Sequence, residues 1–376
     1  MVSKSQIRFK GKASRGLKTE RTREYVSISI CGTTQPLGLR WGFETTSKQI
    51  LNLMDMTINS TDISKRFYFD SADEVLSEVL KILRLISSGF NKTPVSDVFD
   101  AAERLYKGNF PGYSACNTRY HDFRHAIDTF LAMARLIHGA VLAKNSFSER
   151  QIITALTAAI LHDVGYIQEQ SDNQGTGAKY KINHEQRSMA FLSRHGFEFG
   201  LSGEEIAACN SIILCTDMDA DISTISFSSP RIELLGKMLA TADLMAQLAG
   251  RQYLEKLLYL YYEYKEAGLG DYENEVDILH KAADFYEFYY DRMRTPLDSV
   301  DRFMQLHFAS RWGIYQDLYD EMIDRQKNYL LKILKMPHTD PREYLRRDGI
   351  VKKLREQYAK DAPANRQTSS KTPGNT

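Results

Sequence analysis

The chain lacks the features that would carry it out of a reducing compartment or onto a polyanion. Its four cysteines, Cys31, Cys116, Cys209 and Cys215, form no CxxC pair and no dense framework, which argues against a disulfide-stapled secreted scaffold and for buried thiols. No run of about 18 apolar residues occurs, and the N-terminus is basic without the apolar stretch of a signal peptide. Neither a membrane span nor a secretory leader is therefore expected, and a cytoplasmic protein is. Net charge is nearly absent too: 49 Lys+Arg face 48 Asp+Glu, leaving no global field to draw the chain to nucleic acid or to an anionic membrane. Any anionic ligand must be held by a local site. No internal repeat is evident.

What is present is a core. With 376 residues, 43% of them hydrophobic, the chain can form one large helical domain or two smaller ones. Residues 1–46 read as a poorly ordered or short β extension: a basic, solvated tail to about Glu24, then YVSISIC from Tyr25 to Cys31, which alternates as a strand does. From Ser47 the pattern is helix after helix, giving an all-α chain. Residues 47–100 form a helical N-terminal region, 101–336 the main domain, and 337–376 a C-terminal extension whose polar, Pro-bearing end is expected to fray. Ser148 with Gln151 and Ser202 with Glu205 have capping-box spacing, and Pro230 suits a first helical turn. Gly165, Gly196, Gly250 and Gly268 follow helical runs as stops. The segment from about Ser299 to Lys335 reads as a long helical stretch.

Three constellations carry chemistry. In Tyr120-His121-Asp122-Phe123-Arg124-His125-Ala126-Ile127-Asp128 the two histidines stand one helical turn apart and are expected to share a helix face. Two exposed helix histidines would show the same spacing. His162-Asp163 ends the apolar run IITALTAAIL, where an imidazole and a carboxylate make a natural metal-ligand pair. Asp243 lies in LLGKMLATADLMAQLAG, apolar on almost every side. A carboxylate buried there needs a cation, strong donors or water; a metal is one solution, and a structural arginine or a narrow wet edge is another.

In this order the three motifs resemble the HD superfamily of metal-dependent phosphohydrolases, and more narrowly the catalytic domain of cyclic-nucleotide phosphodiesterases. There the first motif typically reads Tyr-His-Asn-x-x-His-Ala-x-Asp, which Tyr120 to Asp128 match with Asp122 in place of Asn. AERLYKGNFPGY, AAILHD, NHEQRSMAFL, CTDM and TADL follow the family's order, so the likeness runs from roughly Ala101 to Gly268. It implies a multi-helical bundle with a central metal pocket and two divalent ions, drawn from magnesium, manganese, zinc or iron. His125, His162, Asp163 and Asp243 would hold the first ion, Asp163 bridging to the second. His121 would be the general acid rather than a ligand. The implied reaction is hydrolysis of a 3′,5′-cyclic nucleotide to the 5′-monophosphate.

The chain also departs from that pattern. After His162-Asp163 the family continues to His-Pro-Gly, whereas Val164, Gly165, Tyr166 and Ile167 stand here. No histidine follows Thr216-Asp217-Met218, and neither Gln305 nor Gln316 has the surroundings of a purine-binding glutamine. His184 can be a residue behind the ligands, a substrate-side residue, a ligand of the second ion or a structural histidine. Tyr120 and Asp217 are further candidates beside the site. The tyrosines Tyr253, Tyr259, Tyr261, Tyr262 and Tyr264 suit helix packing better than a base-stacking platform, and Phe285 to Tyr290 invite the same reading. His195 suits a helix end, and His138, His280, His307 and His338 show no partner in the sequence. The expected partner is a small-molecule nucleotide, with no nucleic acid and no membrane; the oligomeric state is left open, a homodimer included. The other readings are an HD enzyme acting on a different phosphate ester, an oxidative di-iron enzyme, and a non-catalytic module that binds a nucleotide or a partner.

Overall fold

A computed structural model describes residues 67–270 and 272–358, all within one compact unit, Thr61–Thr376. The basic tail, the alternating YVSISIC segment, Cys31 and the polar C-terminal end lie outside the described residues. Among those described, the chain is all-α apart from one isolated bridge between Tyr113 and Glu169. The helices are α1 (Ala72–Ile86), α2 (Thr93–Tyr106), α3 (Phe123–Leu142), α4 (Glu149–Leu161), α5 (His184–His195) and α6 (Gly203–Leu214). They continue with α7 (Pro230–Ala249), α8 (Tyr253–Glu266), α9 (Glu275–Arg294), α10 (Phe303–Trp312), α11 (Leu318–Leu334) and α12 (Ile350–Tyr358).

The starts of these helices fall where side-chain oxygens satisfy free amides. Both expected capping boxes are formed, Ser148 with Gln151 at α4 and Ser202 with Glu205 at α6, and Pro230 opens α7 behind the capping hydroxyl of Ser229. Gly196 and Gly250 cap the ends of α5 and α7, and Gly268 follows α8 with a positive φ. The stretch after Ser299 is not one helix. Gly313, at φ 69°, closes α10, and the chain re-enters helix only at Leu318.

Helix α3 is the axis of the fold. From Ala126 to Ala140 it is buried on nearly every side, with α1, α4, α7 and α10 packed on it. Gly139 is the closest of these approaches: a Cβ there would lie 1.9 Å from the carbonyl oxygen of Phe303, so only glycine lets α10 come in. Arg135 is also buried on α3, donating to the hydroxyl of Tyr319 and the carbonyl of Phe67 and lying among the rings of Phe67, Phe308 and Trp312. No helix among the described residues is long and apolar enough to cross a membrane.

Two histidines without evident partners in the sequence prove to be partners of each other. His138 on α3 and His307 on α10 meet Nδ1 to Nδ1 at 3.0 Å, both buried. One ring must donate and the other accept, so the contact requires at least one neutral imidazole. Burial, aided by Arg311, depresses His138 to about 4, and burial with Arg135 holds His307 well below its ordinary value. Unfolded histidines titrate near 6.5, so on acidification the unfolded chain takes up these protons first. The stability tied to the pair is present above about 6.5 and is lost as pH falls from there towards 4. The urea midpoint is expected to drop between pH 7 and pH 5, and the drop to shrink in His138→Gln/His307→Gln. An unchanged slope in the double variant would remove the assignment.

Candidate metal centre

The site forms where the start of α3, the end of α4 and the middle of α7 converge. Asp122 is the N-cap of α3, its carboxylate accepting the backbone amide of His125 at 3.0 Å and pairing with Lys256 at 2.9 Å. This corrects one expectation. His121 and His125 do not share a helix face, because the extended backbone of Asp122 leaves His121 on the preceding turn and only His125 on the helix. Asp122 therefore caps α3, with a counter-ion supplied by α8.

His125, His162 and Asp243 each place one ligand-type atom within 4.8 Å of the others, all three buried. His125 Nε2 lies 2.9 Å from Asp243 Oδ1 and 3.3 Å from Asp163 Oδ2; His162 Nε2 lies 3.4 Å from Asp163 Oδ2 and 3.6 Å from Asp243 Oδ1. The two Nε2 atoms are 3.3 Å apart. The Nδ1 of His162 donates to the carbonyl of Ala159 at 2.8 Å, which leaves Nε2 facing the centre. Burial disfavours charge on all four groups, yet their mutual attraction outweighs it, holding both imidazoles above and both carboxylates below their ordinary values. Asp163 Oδ2 is nevertheless buried with no hydrogen-bond partner. An oxygen left in that condition between two imidazoles, with a second carboxylate facing the same rings, fits a divalent cation well: two nitrogen and two oxygen donors with one unmet acceptor.

Beyond Asp163 the chain is clamped by α5. Ser188 accepts the amide of Gly165 at 2.9 Å and donates to the carbonyl of His162 at 2.5 Å, while Arg187 donates to the carbonyls of Gly165 and Ile167. Gly165 is where the two segments touch; a Cβ would lie 1.9 Å from the carbonyl of His184. The glycine that reads as a helix stop thus also brings α5, and with it His184, up to Asp163. His184 donates through Nδ1 to the carbonyl of Lys181, and its Nε2 lies 3.5 Å from Asp163 Oδ1 and 3.1 Å from Glu185 Oε1. Burial and Lys181 depress His184 to about 3, so at neutral pH it offers a lone pair to that side. Burial lifts Glu185 to about 7.

His121 is set apart from this cluster. Its Nδ1 meets Glu263 Oε2 at 2.6 Å, and Glu263 Oε1 accepts the backbone amides of Arg119 and Tyr120. The imidazole stacks on the ring of Tyr166 at 4.4 Å, and so does that of His184. Burial and Lys181 hold His121 below its ordinary value against the pull of Glu263. Tyr120 donates to Gln247 at 3.1 Å, and Gln247 donates to Asp243 at 3.0 Å. Asp217 stands outside this group: Thr216 and Met218 line the cavity, whereas the carboxylate of Asp217 accepts the amide of Asp219.

A cavity of about 190 Å³ opens on these residues. Its polar end has His121, Asp163, Lys181, His184 and Asp243; its far wall is Leu257, Leu260, Tyr264, Tyr272, Ile278 and Phe285. Of the tyrosines on α8, Tyr253 and Tyr264 therefore face the cavity, while Tyr259 and Tyr261 pack in the core as expected. Gln305 and Gln316 are exposed and do not line it. Glu263 and Gln247 were not singled out in the sequence; Gln247 carries a signal, one helical turn from Asp243, whereas Glu263 carries none beyond its tyrosine-rich helix. No protein-family model matches the chain, and no curated protein matches it significantly.

Proposed function

We propose that this chain is a metal-dependent phosphohydrolase of the HD type that opens a 3′,5′-cyclic nucleotide to its 5′-monophosphate. The observation that carries the reading is the orphaned Asp163 Oδ2 set between His125 and His162 with Asp243 opposite, beside a histidine that takes no part in the cluster. His125, His162, Asp163 and Asp243 would hold one divalent ion; the second, implied by the resemblance, belongs on the Oδ1 side of Asp163, towards His184 and Glu185. A bound divalent ion supplies Lewis acidity towards phosphate oxygens and acidifies water near neutral pH.

The remaining chemistry belongs to the side chains. As water adds to phosphorus and the P–O3′ bond breaks, the leaving oxygen needs a proton, and His121 Nε2 is the donor. Its other nitrogen is committed to Glu263, which orients the ring and stabilises the imidazolium before transfer. The apolar and aromatic wall of the cavity takes the flat base and excludes water from the phosphate.

One observation favours a second reading. Among the described residues no glutamine of the C-terminal helices lines the cavity, so a different nucleotide phosphate ester is the alternative substrate. A non-catalytic module is disfavoured, because a scaffold gains nothing from an unmet buried carboxylate oxygen. The full chain, supplied with Mg²⁺ or Mn²⁺, is expected to convert cyclic AMP or cyclic GMP to the 5′-nucleotide, to lose turnover on chelation and to regain it on resupply. Absence of turnover with metal bound would move the assignment to another ester; absence of metal binding would overturn it.

A further inference from the structure

Resting on that reading, we propose that Lys181 holds the substrate: its ammonium takes a phosphate oxygen in the cavity beside Asp163 and His121. Lys181 is half-buried and lines the same cavity as His121, Asp163, His184 and Asp243. Its Nζ lies 5.7 Å from the centre of the Tyr166 ring, the ring on which both His121 and His184 stack. Of the other cations near the site, Lys256 pairs with Asp122, and Lys281 lines the same cavity but is exposed to solvent over the ring of Tyr272 rather than half-buried. Lys181 Nζ has no hydrogen bond and no ion pair among the described residues, although Asp163, Glu185 and Glu263 all act on it at longer range. Three N–H donors in a half-buried cavity wall, with no acceptor within reach, suit an anion.

The backbone presents this lysine firmly. The carbonyl of Lys181 accepts Nδ1 of His184, and its amide donates to Ala178. Just upstream, Gly177 lies so close to Tyr166 that a Cβ would meet the carbonyl oxygen of Tyr166 at 1.8 Å, and its amide donates to Asn117. Lys181 is thus fixed to the turn that follows the His162-Asp163 ligands, and a phosphate drawn to it stays next to His121. Nothing in the sequence around Lys181 marks it; its role comes from Gly165 and Gly177 closing the 164–184 segment onto itself.

Inorganic phosphate is the probe. Titrated calorimetrically into Mn²⁺-loaded full-length protein, it is expected to bind wild type and to bind Lys181→Met about ten- to a hundredfold more weakly, the range for losing a hydrogen bond to a charged group. Manganese stoichiometry, read by electron paramagnetic resonance, should be the same in both, and Lys181→Arg should recover part of the loss. Phosphate affinity in Lys181→Met within about twofold of wild type would overturn the proposal, as would phosphate failing to bind wild type. The metal reading fails separately: a wild type that binds no manganese yet binds phosphate through Lys181 would sink the metal centre and leave the anion site standing.

Discussion

Asp243→Ala is expected to bind no divalent ion at concentrations that saturate wild type, and to hydrolyse phosphate esters no faster than chelated wild type. Asp243 supplies one of two carboxylates on the cluster, 2.9 Å from His125 Nε2 and 3.6 Å from His162 Nε2, and without it the ion keeps a single anionic oxygen donor. Loss of an outer hydrogen-bond partner costs metal affinity roughly 10–100-fold, and loss of a ligand costs more. The Lewis acidity at stake is worth several kcal/mol in the transition state, so the rate should fall about a thousandfold or further. Unfolding is separable from this: wild type should gain thermal midpoint on adding Mn²⁺ and the variant should not, whatever the offset between the two metal-free proteins.

Metal binding in wild type should also release protons, because in the metal-free protein Asp163 and Asp243 keep His125 and His162 protonated above the ordinary range. Affinity should then fall as pH falls, and a weakly buffered indicator dye would register the release. Wild-type turnover in Asp243→Ala would end the site assignment altogether.

The residues with the strongest physical signal in the sequence are the ones the structure brings together. Asp243 could be singled out because an aspartate surrounded by apolar helix has few tolerable surroundings, and His162-Asp163 because an apolar helix stops there. The distance between them in sequence did not matter, since α3 gathers α4 and α7 along its length. The all-α class and the capped helix starts were legible for a similar reason, each being decided within four or five residues. What escaped was decided across the fold. Helical spacing placed His121 beside His125, but the cap at Asp122 competes with helix at that position and wins, because its carboxylate satisfies a free amide and meets Lys256 from α8. The His138–His307 pair joins α3 to α10, and neither side chain carries local notice of the other. Glu263 lies in a tyrosine-rich helix whose periodicity speaks only of packing, and Lys181 in a segment with no periodicity at all.

His121→Ala should retain manganese and lose turnover by about 10²–10⁴-fold, the usual contribution of a positioned general acid. The separation of binding from chemistry follows from geometry: His121 engages Glu263 and Tyr166, whereas the ligand-type nitrogens of His125 and His162 face the carboxylates. Glu263→Gln is the finer test, because the amide oxygen can still accept the backbone N–H groups of Arg119 and Tyr120 while the negative charge is gone. That charge favours the protonated imidazole against burial and Lys181, so its loss should lower the pKa of His121 further. If His121 acts as the proposed acid, the descending limb of the pH–rate profile should move to lower pH, with the rate reduced at neutral pH and partly restored on acidification. A merely structural glutamate would reduce the rate by the same factor at every pH. If His121→Ala lost manganese as Asp243→Ala does, His121 would have to be moved from acid to ligand.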